Sequence, residues 1–336
     1  MLELITDLNP FTRGIIAFAI AFGVSLAIGN KVILKLISMK LGQPVRSKEE
    51  VNELYDLHGK KAGTPTMGGV MILSTMVLAI LLAGDLMNPY IHVCTFVLLG
   101  LGVLGFKDDY AKIAQGNSKG VSSKFKLVWQ FGVALVAACW VFFAFDIYPN
   151  PTNLASPSAA NGIVSTLSGV MANDGGKGLV YIPVWGESIN ISWFYLVFGI
   201  IIVVGASNAV NLTDGLDGLA SGCTITTAGV YTVVALLASF PHGAFETTHP
   251  AASELVVFTL AMTGAVAGFL WFNAYPARMF MGDTGSLALG GALGTVALCT
   301  KQEILLAVVG FVFVLEALSV MTQVSYYKVT KIKFGE

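Results

Sequence analysis

Long apolar runs alternate with short polar ones along almost the whole chain. The apolar runs are Phe11–Ile37, Met67–Leu86, Ile91–Phe106, Leu127–Phe145, Trp193–Gly205, Leu219–Phe240, Leu255–Phe272, Leu287–Cys299 and Ile304–Tyr327. Most lie near the roughly 17 to 25 residues that cross about 30 Å of hydrocarbon as a helix. The pattern predicts nine transmembrane helices, an all-α polytopic membrane protein. Nothing in the longest polar stretches, Met39–Thr66, Lys107–Lys126, Ile147–Ser192 and Pro241–Ser253, suggests a separable soluble domain, so residues 1–336 read as one integral membrane domain. Within the third stretch, Leu179–Val184 and Ser188–Ile191 flank Trp185-Gly186-Glu187 and predict a small extracytoplasmic β-hairpin. Pro183 weakens its first strand, because proline has no N–H for the ladder.

Composition supports the membrane reading. Of 336 residues, 55% are hydrophobic and only 12% charged, and the mean hydropathy of +0.76 lies outside the soluble range. A net charge of −1 gives no basic surface for nucleic acid. The distribution of charge is more informative than its total. Lys31, Lys35, Lys40, Arg46, Lys48, Lys60, Lys61, Lys107, Lys112, Lys119, Lys124, Lys126, Arg278, Lys328, Lys331 and Lys333 fall on one side of the predicted membrane. Only Arg13, Lys177 and Lys301 fall on the other. The positive-inside rule makes the first side cytoplasmic, with the N-terminus outside and the C-terminus inside. Cys94, Cys139, Cys223 and Cys299 stand singly in apolar runs, which argues against a disulfide framework or a zinc site. His92, His242 and His249 fall outside, without metal-ligand spacing, and read as solvated or packing residues.

That orientation puts Asp108, Asp109, Asp214, Asp217 and Asp283 on the cytoplasmic side, at the edges of apolar runs. Carboxylates are costly there without partners, and a metal ion with phosphates would supply them. Asp108-Asp109 is expected to end the third helix, where the dipole disfavours negative charge, so capping does not explain the pair. A solvated helix end neutralised by Lys107 and Lys112 is the plain alternative. Asp214 or Asp217, and Asp283 or Ser286, have the alternative role of capping the helices that follow them. Yet Asn208, Asn211, Thr213, Asp214 and Asp217 in one loop, with Gly215 and Gly218, offer more oxygen and more backbone access than one cap needs. Oxygen-rich loops on one face suit a hard cation such as Mg²⁺. Phosphoryl transfer needs this set: a cation, lysines for phosphate and a carboxylate to position the nucleophile. Lys60 and Lys61 before Pro65 and Thr66 read either as lipid-surface contacts at a helix start or as phosphate contacts. A transporter with carboxylates on its ion path is the alternative class, but it would place them near mid-membrane and usually shows internal repeats.

Five segments together resemble the polyprenyl-phosphate N-acetylhexosamine-1-phosphate transferases. They are Lys61-Ala-Gly-Thr-Pro-Thr-Met-Gly-Gly69, Gly105-Phe-Lys-Asp-Asp109, Asn208-Ala-Val-Asn-Leu-Thr-Asp-Gly-Leu-Asp-Gly-Leu219, Trp271-Phe-Asn-Ala-Tyr-Pro-Ala277 and Met281-Gly-Asp-Thr-Gly-Ser-Leu-Ala-Leu-Gly290. Within that family the segments are most similar to the branch acting on UDP-MurNAc-pentapeptide. The resemblance implies transfer of phospho-MurNAc-pentapeptide to undecaprenyl phosphate, giving lipid I and UMP with Mg²⁺ as cofactor, in a bacterial cytoplasmic (inner) membrane, by a homodimer. UDP-GlcNAc is the alternative donor within the family. By the same resemblance Asp283 is the principal Mg²⁺ ligand and Asp108 and Asp109 the catalytic pair, either of which could be the base. Lys61, Thr66, Asn208, Leu212, Asp214, Asp217, Asn273, Phe280, Gly282 and Ser286 surround the nucleotide, with Phe280 on uracil and Lys112 and Lys124 on phosphates. Family members continue into a histidine-rich motif and a tenth helix, which the chain ending Lys333-Phe-Gly-Glu336 is expected to lack.

Overall fold

A computed structural model describes residues 8–39, 64–115, 120–147, 178–183, 185–237 and 250–334. Lys61, His242 and His249 lie outside these residues. The fold is mostly helical: α1 Pro10–Ser38, α2 Gly69–Ala83, α3 Pro89–Gln115, α4 Ser123–Ile147, α5 Phe194–Thr213 and α6 Leu219–Leu237, followed by α7 Leu255–Asn273, α8 Gly282–Cys299, α9 Glu303–Val309 and α10 Phe311–Phe334. Each predicted apolar run coincides with helix over most of its described residues. Among the described residues six helices, α1 and α3 to α7, are long and apolar enough to cross a membrane. The last run is bent by 79° at Gly310, between α9 and α10, and counts as a seventh span if the bent pair is one. The protein is a multi-pass membrane protein. β1 (Leu179–Ile182) pairs antiparallel with β2 (Glu187–Asn190), Leu179 opposite Asn190 and Ile182 opposite Glu187. Pro183 falls just past β1, and Gly186 takes a φ of +68° in the turn.

Helix α8 lies at the centre. Every side chain from Thr284 to Cys299 is buried, with α3 and α5 packed along it. Close packing in a membrane depends on small residues, since lipid tails compete equally for apolar surface. Gly290 and Gly291 show why: a Cβ would stand 2.4 Å from Ala206 O at the first and 2.1 Å from Leu101 Cδ1 at the second. α1 packs on α7 through the row Arg13, Ala17, Ala21, Ser25, Gly29. Asn9 starts α1 by accepting the Thr12 N–H at 2.8 Å, with Pro10 as the first helical residue.

The end of the bundle that carries Arg13 and Lys301 is held by buried charge. Arg13, 6% exposed, meets Glu254, 4% exposed, through two parallel bonds of 2.6 and 2.7 Å. Glu254 also accepts the Asp85 N–H at 2.7 Å, so one carboxylate ties together α1, the turn after α2 and the start of α7. Lys301 is fully buried, with Nζ 3.6 Å from the centre of the Tyr195 ring, and Tyr195 donates to Glu303. His92 bonds Leu86 O and stands edge-on to Trp140, the packing role expected of it.

Removing one partner of the Arg13–Glu254 pair strands a buried charge. Glu254→Ala is expected to cost about 3–5 kcal/mol, and replacing both as Arg13→Met with Glu254→Leu much less. Thermal unfolding of the detergent-purified protein checks this; equal losses for the single and double variants would refute it.

Candidate active site

At the other end, α3 runs past the aspartates to Gln115. Asp108 and Asp109 therefore lie inside the helix rather than at its end, which corrects the expectation from sequence. They are 0% and 3% exposed, and the dipole penalty expected of a terminal position falls away with distance from the last turn. Both face the start of α8. The segment before α2 and the segment before α8 run side by side: Phe280 N–H bonds Pro65 O, Gly68 N–H bonds Phe280 O and Gly69 N–H bonds Met281 O, each at 2.9 Å. The two helices thus begin together. At Gly69 a Cβ would sit 2.1 Å from Gly285 N, and at Gly105 one would sit 2.1 Å from Asp283 O. Only glycine lets α2 and α3 reach the first turn of α8.

No capping side chain is supplied by Met281, the residue that precedes α8. The first N–H groups of the helix are taken by aspartates from elsewhere: Gly282 donates to Asp214, Asp283 N–H to Asp109 Oδ1 at 3.1 Å and Thr284 N–H to Asp109 Oδ2 at 2.9 Å. Loss of hydration, then the charges of Asp283 and Asp109, push the Asp214 carboxyl well above the usual carboxylate range.

With its N–H so held, Asp283 turns its carboxylate toward two ammonium groups. Lys112 Nζ lies 2.7 Å from Asp108 Oδ2 and 3.2 Å from Asp283 Oδ1. Lys126 Nζ, from α4, lies 2.8 Å from Asp108 Oδ2 and 3.0 Å from Asp283 Oδ2. Asn211 Nδ2 adds bonds to Asp283 Oδ1 at 3.1 Å and to Ser286 Oγ at 2.8 Å, and Asp108 Oδ1 accepts the Val121 N–H at 2.8 Å. One oxygen from each of Asp108, Asp109 and Asp283 lies within 4.8 Å of the others. An all-carboxylate donor set this compact fits a hard divalent cation.

Asp109, Lys112 and Asp283 of this cluster border a cleft of about 230 Å³ that is also lined by Thr66, Ile113, Asn211, Asp214, Gly215, Leu216, Asp217, Asn273, Phe280 and Gly282. Most residues expected around the nucleotide are therefore here, including Thr66, Asp217 and Phe280. Some have a second task. Asp217 Oδ2 accepts the Ala277 N–H at 3.0 Å. Asn273 accepts Gly218 N–H at 3.1 Å and Ser221 Oγ at 3.0 Å, and donates to Met279 O at 3.1 Å. These bonds fasten the loop after α5 to the loop after α7, and Asp214 closes α5 rather than starting α6. Ser286 is buried and donates to Gly282 O at 2.9 Å, so it orients Asn211 from behind the cleft. Asn208 lies deeper, donating to Gln130 Oε1 at 3.1 Å, and Leu212 is 38% exposed and outside the lining.

Lys124 is exposed, and the ammonium that α4 sends to the aspartates is that of Lys126. Two residues along a helix is about 200° of rotation, so only one of these lysines can face inward. Their choice depends on the phase of α4, which no local pattern in Lys124-Phe-Lys126 fixes. Thr284 is the other residue without a role from sequence, although it sits inside a quoted segment, whereas Asn211 belongs to the oxygen-rich loop expected to bind a ligand.

Comparison with known protein families agrees with this geometry. The family model for glycosyl transferase family 4 matches residues 91–301, and the chain belongs to that family. Residues 61–73 carry signature 1 of the phospho-N-acetylmuramoyl-pentapeptide-transferases. The protein is thus a transferase of that type, moving phospho-MurNAc-pentapeptide to undecaprenyl phosphate in peptidoglycan synthesis.

The ion pairs distinguish the two α4 lysines functionally. A charge-assisted bond is worth about 1.5–3 kcal/mol, so Lys126→Met is expected to lower kcat/KM by about tenfold or more, and Lys124→Met by less than about threefold. Initial rates of UMP release by the two variants check the assignment, and the reverse order would overturn it.

Proposed function

We propose that transfer takes place in the cleft above Asp108, Asp109 and Asp283, with Mg²⁺ as cofactor and with the cleft on the cytoplasmic face of a bacterial inner membrane crossed nine times. The observation that carries this reading is the convergence of three carboxylates and two lysines beneath a cleft that also presents Phe280. Asp283, with the largest access of the three at 15% side-chain exposure, and Asp108 are the residues that would hold the cation. When bound, it would neutralise charge developing on the diphosphate.

The chain's own groups do the rest. Lys112 and Lys126 both reach Asp283, and Lys112 lines the cleft, where an ammonium group would bind phosphate oxygens. Phe280 is fixed by backbone bonds on both its N–H and its carbonyl and offers a rigid face for uracil. Asp108, whose Oδ2 meets both ammonium groups, would act on the lipid phosphate by holding those lysines in position. The lysine distribution around this face supports the cytoplasmic orientation.

UMP release from UDP-MurNAc-pentapeptide with undecaprenyl phosphate is expected to require Mg²⁺ and to stop on chelation. Asp283→Asn should lower kcat by about a thousandfold, as loss of a metal ligand does, with the fold intact. Wild-type rates in Asp283→Asn, or in chelator, would remove the metal from this site, and preference for UDP-GlcNAc in a parallel assay would change the donor.

Stacking on an aromatic ring is worth about 1–3 kcal/mol per base. Phe280→Ala is accordingly expected to raise KM for the nucleotide donor about tenfold and to leave the lipid KM unchanged. A donor titration unaffected by the substitution would take Phe280 out of the uridine pocket.

A further inference from the structure

α8 has no capping side chain before it, yet its second and third N–H groups are both bonded, by one carboxylate 174 and 175 residues earlier in the chain. These are the two N–H groups that an N-cap side chain ordinarily serves. We infer that Asp109 and Thr284 form a positioning pair, with Asp109 the N-cap of α8 supplied from α3 and the Thr284 hydroxyl locking it, so that together they aim Asp283. The inference rests on the function proposed above and assigns Asp109 a task other than proton transfer.

The bonds carry the argument. Asp109 Oδ1 accepts the Asp283 N–H at 3.1 Å, and Oδ2 accepts both the Thr284 N–H at 2.9 Å and the Thr284 hydroxyl at 2.7 Å. Three short donors converge on one carboxylate that is 3% exposed. A carboxylate so occupied is poorly placed to take a proton from a substrate, because protonation would sacrifice bonds that start a helix. The surroundings are shaped for the cap. Gly282 has a φ of +72°, and a Cβ on it would stand 2.6 Å from Asp109 Oδ2 and 2.9 Å from Thr66 Oγ1. Gly105, one turn before Asp109 on α3, lets that helix touch the Asp283 carbonyl.

The consequence falls on Asp283. Its N–H is pinned by Asp109, and the next residue is pinned twice, so the backbone that carries its side chain has no freedom to turn. The carboxylate is left facing Lys112, Lys126 and Asn211 at 3.0 to 3.2 Å. Thr284 is buried and is not itself part of the cleft lining, so any effect of its hydroxyl reaches the cleft through Asp109 and Asp283.

Thr284→Val removes the hydroxyl at constant shape. The test compares it with Thr284→Ser and Asp109→Asn in detergent-purified full-length protein, reading kcat, donor KM and, independently of turnover, Mn²⁺ affinity by electron paramagnetic resonance. Loss of a cap bond is worth about 1 kcal/mol or somewhat more, so Thr284→Val is expected to lower kcat and weaken Mn²⁺ binding each about tenfold, with donor KM within about twofold. Thr284→Ser should restore both. Asp109→Asn keeps an acceptor for the helix and is expected to hold kcat within about thirtyfold of wild type, whereas loss of a general base costs about 10²–10⁴. Wild-type kcat and Mn²⁺ affinity in Thr284→Val, or failure of serine to restore them, would overturn the inference. So would a thousandfold fall in kcat for Asp109→Asn at unchanged Mn²⁺ affinity, which also decides the matter if Thr284→Val does not fold. Failure of the wild-type protein to release UMP would instead strike the proposed function.

Discussion

The structure depends on keeping several ionised groups at the end of an apolar bundle without leaving any of them uncompensated. Removing a carboxylate from water costs several kcal/mol even after relaxation, and three of them meet here within 4.8 Å. Two kinds of positive charge answer them. Lys112 and Lys126 bridge Asp108 and Asp283. The positive end of α8 takes Asp109 through two N–H groups and a hydroxyl. The site is therefore also what ties α3, α4, α5 and α8 together at this end.

Such pairing needs backbones closer than ordinary side chains allow, and the sequence supplies glycine where helices touch: Gly69 and Gly105 against the first turn of α8, Gly290 and Gly291 against its body. The opposite end solves the same electrostatic problem with a different result. Arg13 and Glu254 are satisfied by each other and by neighbouring backbone, in a fork with both bonds under 2.8 Å. Lys301 is closed off beneath the Tyr195 ring. Charge there holds elements together, with Glu303 bordering a cleft that is otherwise apolar, whereas the aspartate cluster opens through Asp109 and Asp283 into one lined by polar groups.

How much of this was legible in the sequence follows from the range of each interaction. Apolar runs are local, so each of the nine is helix over most of its described residues, and β1 stops just before Pro183, whose missing N–H weakened the expected strand Leu179–Val184. The loops that gather the aspartates were legible because clustered oxygen is abnormal in so apolar a chain. Phase and distance were not. Choosing Lys126 over Lys124 requires the rotation of α4, and the bend at Gly310 requires the packing around it. Most of all, the expectation that Asp283 or Ser286 would cap α8 failed because the cap comes from α3, across 174 residues. Local rules find the helix start but cannot see a partner so distant.

The ion pairs also suggest why the two lysines serve a reaction that brings a diphosphate and a cation into the same small volume. Each ammonium already bridges two carboxylates in place, so much of its hydration has been exchanged for carboxylate oxygen before any substrate arrives. On the proposed function, a lysine that passes from carboxylate to phosphate exchanges one charged partner for another of the same sign. Asp108 and Asp283, freed in this way, would hold the cation, whose charge would stand in for that of the ammonium groups. No step in that exchange leaves an isolated charge in the apolar bundle, which is the condition under which buried pairing is most costly to break. Such an exchange requires that the carboxylates stay fixed while the lysines move. Asp283 meets that requirement because it projects from the first turn of a helix whose N–H groups are held by Asp109 and Asp214. The lysines meet it as well, being flexible chains whose side chains are about one quarter exposed.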